Sequence, residues 1–239
     1  MAEPRQIIYL DTVDSTNRYA RRERLPAGTI VYTFRQRAGR GRLGRPWLDI
    51  EGKNLALSVI FDAGAGEASF WRIALLSLPM AALLKALWIH QVWIKWPNDI
   101  LAGGKKIAGV LAETVMEENH MVKIIAGIGI NVNPTAAELA LIPKPATSLY
   151  CETGRLQEMR HFAEGYITLL AELMDEELPV PMIRQRWLTE SGTIGRSVEW
   201  ASPAGPVRGH AVDVDEKGLL HLETATGIIQ IAAGDLDIK

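Results

Sequence analysis

The sequence predicts an α+β fold: a mixed or antiparallel sheet with packed helices, plus a small all-β unit at the C-terminus. Three observations carry this. Two β-rich runs, KIAGVLAETV (106–115) and MVKIIAGIGINVN (121–133), are separated by the polar MEENH, the pattern of a hairpin. Helical patterns near 70–89 and 156–177 interleave with strands without the strict βα alternation of a doubly wound parallel sheet. From about residue 197 onward β-pattern runs are punctuated by turn signals such as DEKG and ATG, and helical periodicity disappears.

Taken in order, QIIYLD (6–11) reads as a short strand. DSTNRYARRERL follows as a helix, with Ser15 or Thr16 placed to cap it. GTIVYTF (28–34) is a β-branched and aromatic strand that runs into an arginine-rich loop, and NLALSVIFD (54–62) is the next strand. The apolar helix near 70–89 contains Pro79, which is expected to open or kink it. VWIKW (92–96) is a strand ahead of the hairpin. After the Pro-rich stretch 133–150 come an amphipathic helix over roughly 156–177, stopped by LPVP, and a shorter helix near 182–189. TESGTIGR (189–196) is the expected boundary, giving a larger α+β unit over 1–190 and a small β unit, barrel or sheet, over 191–239.

The bounds are consistent with an ordinary globular protein. The 239 residues are 48% hydrophobic and 23% charged, enough for a proper core. The formal net charge of −2 argues against a protein that coats nucleic acid. A single cysteine, Cys151, excludes an internal disulfide, and with no Cys/His cluster the expected setting is a reducing cytoplasm. The most hydrophobic stretch, 73–89, is broken by Pro79 and Lys85, so no membrane span is expected.

Against that balance, FRQRAGRGRLGRPW (34–47) packs five arginines and three glycines into fourteen residues. Gly39, Gly41 and Gly44 let the backbone approach a ligand, and Arg40, Arg42 and Arg45 supply forks for carboxylate or phosphate oxygens. Trp47 offers a flat face to a purine or a guanidinium. Such a loop repels itself when empty and is expected to order around an anion; an Arg/Gly-rich nucleic-acid segment is the competing reading. In KWPNDIL (95–101), Asn98 and Asp99 just past a strand suit a hydrated Mg²⁺ or a ribose and phosphate, or form a plain Asn-Asp turn. In GGKKIAGV (103–110), strict alternation puts Lys106 and Ala108 on one face and Ile107 and Gly109 on the other; Lys106 is either a solvated turn residue or points into a pocket. Gly127 and Gly129 on one strand face leave a groove for something flat, and Asn131 on that face has the donor and acceptor needed to read a purine edge, unless it merely ends the strand.

Together DSTN (14–17), GRGRLGRPW (39–47), KWPNDI (95–100), KKIAGVLAE (105–113) and GIGINVN (127–133) resemble the biotin protein ligases. The resemblance implies a class II aminoacyl-tRNA synthetase/biotin ligase-like catalytic domain and an SH3-like C-terminal barrel. It implies ATP-dependent activation of biotin to biotinyl-5′-AMP, with Mg²⁺ accompanying ATP, and transfer to a lysine of a biotin carboxyl carrier protein. On that basis Ser15, Thr16, Asn17 and Gln36 bind the biotin ring, and Gly39, Arg40, Gly41 and Arg42 fold over biotin and the phosphates. Arg42, Arg45, Trp47, Asn98, Asp99 and Asn131 serve ATP, with Asp99 near the metal. Lys106 bridges the biotin carboxyl and the α-phosphate, with Gly109 packed beneath, so Lys106, Arg40 and Asp99 are the expected catalytic groups.

Arg18 after DSTN, where uncharged residues are frequent, and Leu43 in the loop depart from the family's commonest pattern. Because DSTN begins at residue 14, no DNA-binding unit is expected ahead of it and no operator binding. A homodimer through sheet edges is compatible with the resemblance. A lipoate-type acyl-adenylate ligase on the same scaffold is the alternative activity.

Overall fold

A computed structural model of the chain describes residues 5–63, 69–118 and 120–238. Its centre is a seven-stranded mixed sheet in the order β1-β2-β3-β7-β6-β5-β4. The strands are β1 (Ile7–Leu10), β2 (Ile30–Thr33), β3 (Asn54–Asp62), β4 (Val92–Lys95), β5 (Asp99–Ala102), β6 (Lys105–Glu117) and β7 (His120–Asn131). Only β1 and β2 run parallel; every other neighbouring pair is antiparallel. KIAGVLAETV and MVKIIAGIGINVN do form the β6–β7 hairpin, and β3 lies beside β7 along its whole length, Asn54 opposite Asn131 and Asp62 opposite Lys123.

The two faces of these central strands differ in side-chain size, and that difference makes the site. On β3, Leu55, Leu57, Val59 and Phe61 enter the main core; on β7, Ile124, Ala126, Ile128 and Ile130 do. The alternate residues Ala56, Ser58, Gly127, Gly129 and Asn131 face the other way, mostly small or polar. Three helices cover the large-residue face: α2 (Ser69–Ala86), α5 (Met159–Asp175) and α6 (Val180–Glu190). Pro79 lies inside α2 rather than opening it. In α5, buried Phe162, Ala163, Tyr166, Ile167, Leu170 and Leu173 follow the helical repeat, and Glu158 caps its first amides. The opposite face carries α1 (Thr16–Arg22), seated on Val31, Ile60 and Ile125 through Ala20. Ser15 is its cap, and Arg21 and Arg22 complement the negative end of its dipole.

Two short helices, α3 (Ala136–Leu139) and α4 (Leu149–Thr153), occupy the Pro-rich stretch that the sequence reading left without elements. The signal was present: Thr135 and Glu138 form a reciprocal capping box, and Gly154 closes α4 in a left-handed conformation (φ 69°).

The C-terminal strands β8 (Ser197–Ser202), β9 (Gly205–Val214), β10 (Leu220–Thr224), β11 (Gly227–Ile231) and β12 (Leu236–Ile238) form an antiparallel sheet in the order β11-β10-β9-β8-β12. The barrel expected there is therefore an open sheet among the described residues, with β11 and β12 as its edges. Its DEKG turn docks on the first unit. Trp71 donates its indole N–H to the Glu216 carbonyl (2.6 Å), and Trp96 donates to that of Gly218 (3.1 Å). Gly218 (φ 83°) is required at the contact, since a Cβ there would lie 2.1 Å from Phe70. No helix among the described residues is long and apolar enough to cross a membrane.

Candidate active site

On the small-residue face, beside α1, lies a cavity of about 890 Å³. Of the residues singled out from the motifs, Ser15, Thr16, Asn17, Gln36, Gly39, Arg40, Gly41, Arg42, Arg45, Trp47, Asn98, Asp99, Lys106, Gly109, Gly127, Gly129 and Asn131 line it, and Gly44 does not. Segments far apart in sequence meet there for identifiable reasons. The chain after β2 runs beside Val13 and Asp14, with Arg37 N–H bonded to the Val13 carbonyl (2.9 Å) and Ala38 N–H to that of Asp14 (2.8 Å). Gln36 is thereby set against the start of α1, where its Oε1 accepts the Thr16 backbone N–H (2.9 Å). Ser58 Oγ lies 2.7 Å from Thr16 Oγ1 and 2.6 Å from Asn17 Oδ1, and Asn17 donates to Glu113 (2.7 Å).

The arginine loop folds back on itself. Gly41 N–H bonds the Arg45 carbonyl (2.8 Å), Trp47 N–H bonds that of Gly39 (3.0 Å), and a 3₁₀ turn at Arg42–Gly44 forms the tip. Leu43, one of the two departures from the family pattern, sits at that tip with φ 57° and is exposed. Arg40 is exposed on the rim, bridged through its backbone to Pro46. Arg42 reaches inward to Asn98 Oδ1 (3.1 Å); burial lowers its pKa, and Asp99 works in the opposite direction. Arg45 instead turns outward to Asp235 (2.6 Å), which also holds Lys144 (2.9 Å). Burial pushes the Asp235 carboxyl up, but the hydrogen bonds from Lys144 and Arg45 outweigh it and hold the pKa at about 2.

The groove over Gly127 and Gly129 is occupied by the protein itself. The Trp47 indole lies on Gly129, where a Cβ would come within 2.4 Å of the ring, and the Asn17 amide lies on Gly127. The buried Trp47 indole N–H has no hydrogen-bond partner among the described residues. Asn131, expected to offer its amide to a purine, lines the cavity but spends that amide internally: its oxygen accepts from Asn54 (2.9 Å) and its nitrogen donates to the Thr147 carbonyl (2.9 Å). Asn98 likewise donates to the Val110 carbonyl (2.7 Å), tying the turn between β4 and β5 to β6. Asp99 does not trail past a strand; it begins β5 opposite Lys95.

Strict alternation placed Lys106 and Gly109 on opposite faces, and the structure corrects this. Ile100 pairs with Ala108 while Leu101 pairs with Lys106, so Ile107 is an extra, bulged residue. Ile107 and Ala108 both enter the core, which leaves Lys106 and Gly109 together on the cavity side. Lys106 Nζ lies 2.6 Å from Asp99 Oδ1 and 5.6 Å from the centre of a Trp47 ring, and a side chain at Gly109 would collide with the lysine (2.7 Å).

Sequence reasoning missed several lining groups: Arg37, Asp49, the segment 141–146 and Asp235. Asp49 accepts the Gln36 backbone N–H; burial raises its pKa to about 6 against that bond. Ser58 had a visible signal, a hydroxyl amid the apolar NLALSVIFD; Asp49 and Asp235 had none. Among the described residues no group of three or more His, Cys, Asp or Glu side chains is arranged to hold a metal.

The profile of the Biotin/lipoate A/B protein ligase family matches residues 9–131, and that of the Biotin protein ligase C terminal domain matches 193–238. The chain belongs to the biotin protein ligase family. Within it, the chain is 32% identical over 250 residues to the Bifunctional ligase/repressor BirA of Bacillus subtilis, covering 97% of this chain and 74% of that protein. It is 30% identical to the Biotin--[acetyl-CoA-carboxylase] ligase of Mycobacterium tuberculosis, covering 87% of this chain and 78% of the relative. Among solved structures, the biotin protein ligase from Aquifex aeolicus in complex with biotin and ATP superposes with a TM-score of 0.80 at 29% identity over 98% of both chains.

Proposed function

We propose that this protein is an ATP-dependent biotin protein ligase. It activates biotin to biotinyl-5′-AMP with release of pyrophosphate, then transfers the biotinyl group to a lysine of a biotin carboxyl carrier protein. The observation that carries the reading is the convergence of residues from all five motifs on one cavity with two chemically different groups of side chains. Thr16, Asn17 and Gln36 form a neutral hydrogen-bonded cluster suited to a cyclic urea. Arg42, Lys106 and Lys144 are a cationic group suited to a triphosphate.

In the first step a biotin carboxylate oxygen attacks the α-phosphorus of ATP; a P–O bond forms and the bond to pyrophosphate breaks. Two anions must meet, so the Lys106 ammonium is assigned to both the carboxylate and the α-phosphate, and Arg40 and Arg42 to charge developing on the phosphates. Trp47 and Asn131 would flank the adenine. The Trp47 N–H is buried against Gly129, so Trp47 contributes a ring face, and with its amide satisfied internally Asn131 contributes shape more than hydrogen bonds. The donor set does not fit a resident metal cage, but one carboxylate, Asp99, beside the phosphates fits Mg²⁺ arriving with ATP as part of the substrate. In the second step the carrier lysine attacks the acyl carbon, AMP leaves, and Asp99 orients the amine and accepts its proton. The folded arginine loop keeps water from the mixed anhydride.

The proposal extends to a division into a catalytic unit over 1–190 and an SH3-like unit over 191–239, supported by the change of sheet between α6 and β8, and to action in the cytoplasm. The test is pyrophosphate release with ATP, Mg²⁺ and either biotin or lipoate, followed by mass spectrometry of a carrier domain. Biotin-dependent release and a biotinylated lysine are expected; turnover with lipoate alone refutes the reading.

A further inference from the structure

We propose that Glu113 is a positioning residue: it sets the direction of the hydrogen-bond chain Asn17–Ser58–Thr16, so that the Thr16 hydroxyl faces the cavity as an acceptor for a ligand N–H. The inference rests on the reading that the ligand is the cyclic urea of biotin, and deepens it by naming what fixes the polarity of that subsite.

A carboxylate only accepts, so Glu113 Oε2, 2.7 Å from Asn17 Nδ2, fixes the amide with its NH₂ toward β6 and its oxygen toward β3. The amide cannot slide away, because it lies on Gly127, where a Cβ would sit 2.3 Å from Asn17 Oδ1. Asn17 Oδ1 and Ser58 Oγ are 2.6 Å apart, and only Ser58 has a proton for that contact, so Ser58 donates it. The Ser58 hydroxyl then has none left for Thr16 Oγ1, 2.7 Å away, and that contact requires the Thr16 hydroxyl to donate to Ser58. Thr16 Oγ1 also lies 3.3 Å from Gln36 Oε1, longer than the ~2.5–3.0 Å of a good O–H···O bond, so this contact does not compete for the proton. Thr16 Oγ1 and Gln36 Oε1 therefore converge on the cavity as two acceptors, and a donor between them satisfies both. With Glu113 absent only a long 3.5 Å contact from Asn17 Nδ2 to the Leu111 carbonyl favours that orientation of the amide, so the Ser58 and Thr16 protons lose most of their fixed sense and the subsite distinguishes a donor from an acceptor poorly. The other Glu113 oxygen lies 4.0 Å from Arg21, one turn along α1, an exposed pairing worth little by itself.

The experiment titrates biotin and ATP separately in the pyrophosphate-release assay for the wild type, Glu113→Ala, Glu113→Gln and Ser58→Ala. Glu113→Ala and Ser58→Ala should each raise the KM for biotin about tenfold, leaving the KM for ATP and kcat at saturating biotin within about twofold. Glu113→Gln is nearly isosteric but offers Asn17 a donor as well as an acceptor, so it no longer fixes the amide and should also raise the KM for biotin, by more than about threefold. A cyclic-carbonate analogue of biotin, with oxygen in place of both ring N–H groups, should bind the wild type poorly and the two alanine variants no worse, a coupling that general loosening of α1 does not produce. An unchanged biotin KM in Glu113→Ala or in Glu113→Gln overturns the assignment; so does an alanine variant that loses as much for the analogue as for biotin. Should Glu113→Ala fail to fold, the nearly isosteric Glu113→Gln decides, since it changes only the donor–acceptor character of the group facing Asn17. Absence of biotin-dependent turnover by the wild type overturns the functional reading itself, a failure recognisable without any variant.

Discussion

Asp235 lies beyond every motif, yet it ties the arginine loop to the opposite wall of the cavity through Arg45 and Lys144. Replacing it by alanine removes both ties while leaving the loop sequence intact. The paired side chains keep a third to two-thirds of their surface, so each ion pair is worth the ~0.2–1 kcal/mol of an exposed bridge, and only the Arg45 pair is broken when the loop opens. At about 1.4 kcal/mol per tenfold, the population of the folded-over loop should fall by up to about fivefold. Two assays read this: tryptic cleavage within 40–45, which should accelerate by that factor, and the KM for ATP, which should rise with it. The pH dependence follows from the sign of the shift. The carboxyl is held at about 2, below its unfolded value of 3.8, so its contribution is complete above the unfolded value and is lost only as pH falls toward 2. The defect should therefore be flat across neutral pH, and high salt should make the wild type resemble the variant. Unchanged cleavage and unchanged KM would refute the idea that this carboxylate holds the loop.

The remaining predictions concern single contacts. Lys106→Ala should cut pyrophosphate release by at least about a hundredfold if, as proposed, this cation, now paired with Asp99, serves both anionic reactants; near-normal release would remove Lys106 from the mechanism. Gly129→Ala must displace the Trp47 ring from its seat 2.4 Å away, so ATP binding should weaken several-fold and the tryptophan emission should shift to the red, as fluorescence titration will show. Asp49 carries a carboxyl raised to about 6 by burial, so the folded chain binds a proton that the unfolded chain releases near pH 4. Stability contributed by the protonated form is lost as pH rises through 6, and Asp49→Asn, which keeps an acceptor for Gln36, should remove this slope. The expected gain relative to wild type on going from pH 5 to pH 8 is on the order of 1–2 kcal/mol by denaturant unfolding, and parallel pH profiles would contradict it.

Much of this was legible in the sequence because it is periodic. The alternation of large and small residues on β3 and β7 identifies both strands and the bare face that becomes the cavity. Residues whose role depends on a tertiary crossing were not legible. Asp49 and Asp235 belong to no pattern; the path of the chain alone brings them to the site. DEKG was readable as a turn, but nothing local says that its carbonyls receive two buried indoles. Asn131 was legible as a cavity residue and misread as a free amide, because its partners Asn54 and Thr147 are unrelated to it in sequence. The helix at 136–139 announced itself through Thr135 and Glu138 and was passed over because prolines dominate its surroundings.

The bulge at Ile107 carries a consequence for anyone editing this strand. Removing one residue from a β-strand ordinarily turns every side chain beyond the cut to the wrong face. Here Ile107 is the supernumerary residue, so its deletion would restore a regular ladder in which Lys106 still looks toward Asp99 and Gly109 still lies beneath it. The cost would be the packing of one isoleucine. The insertion of a residue at the same place would throw the lysine out of register with its partners, so this stretch should tolerate shortening far better than lengthening.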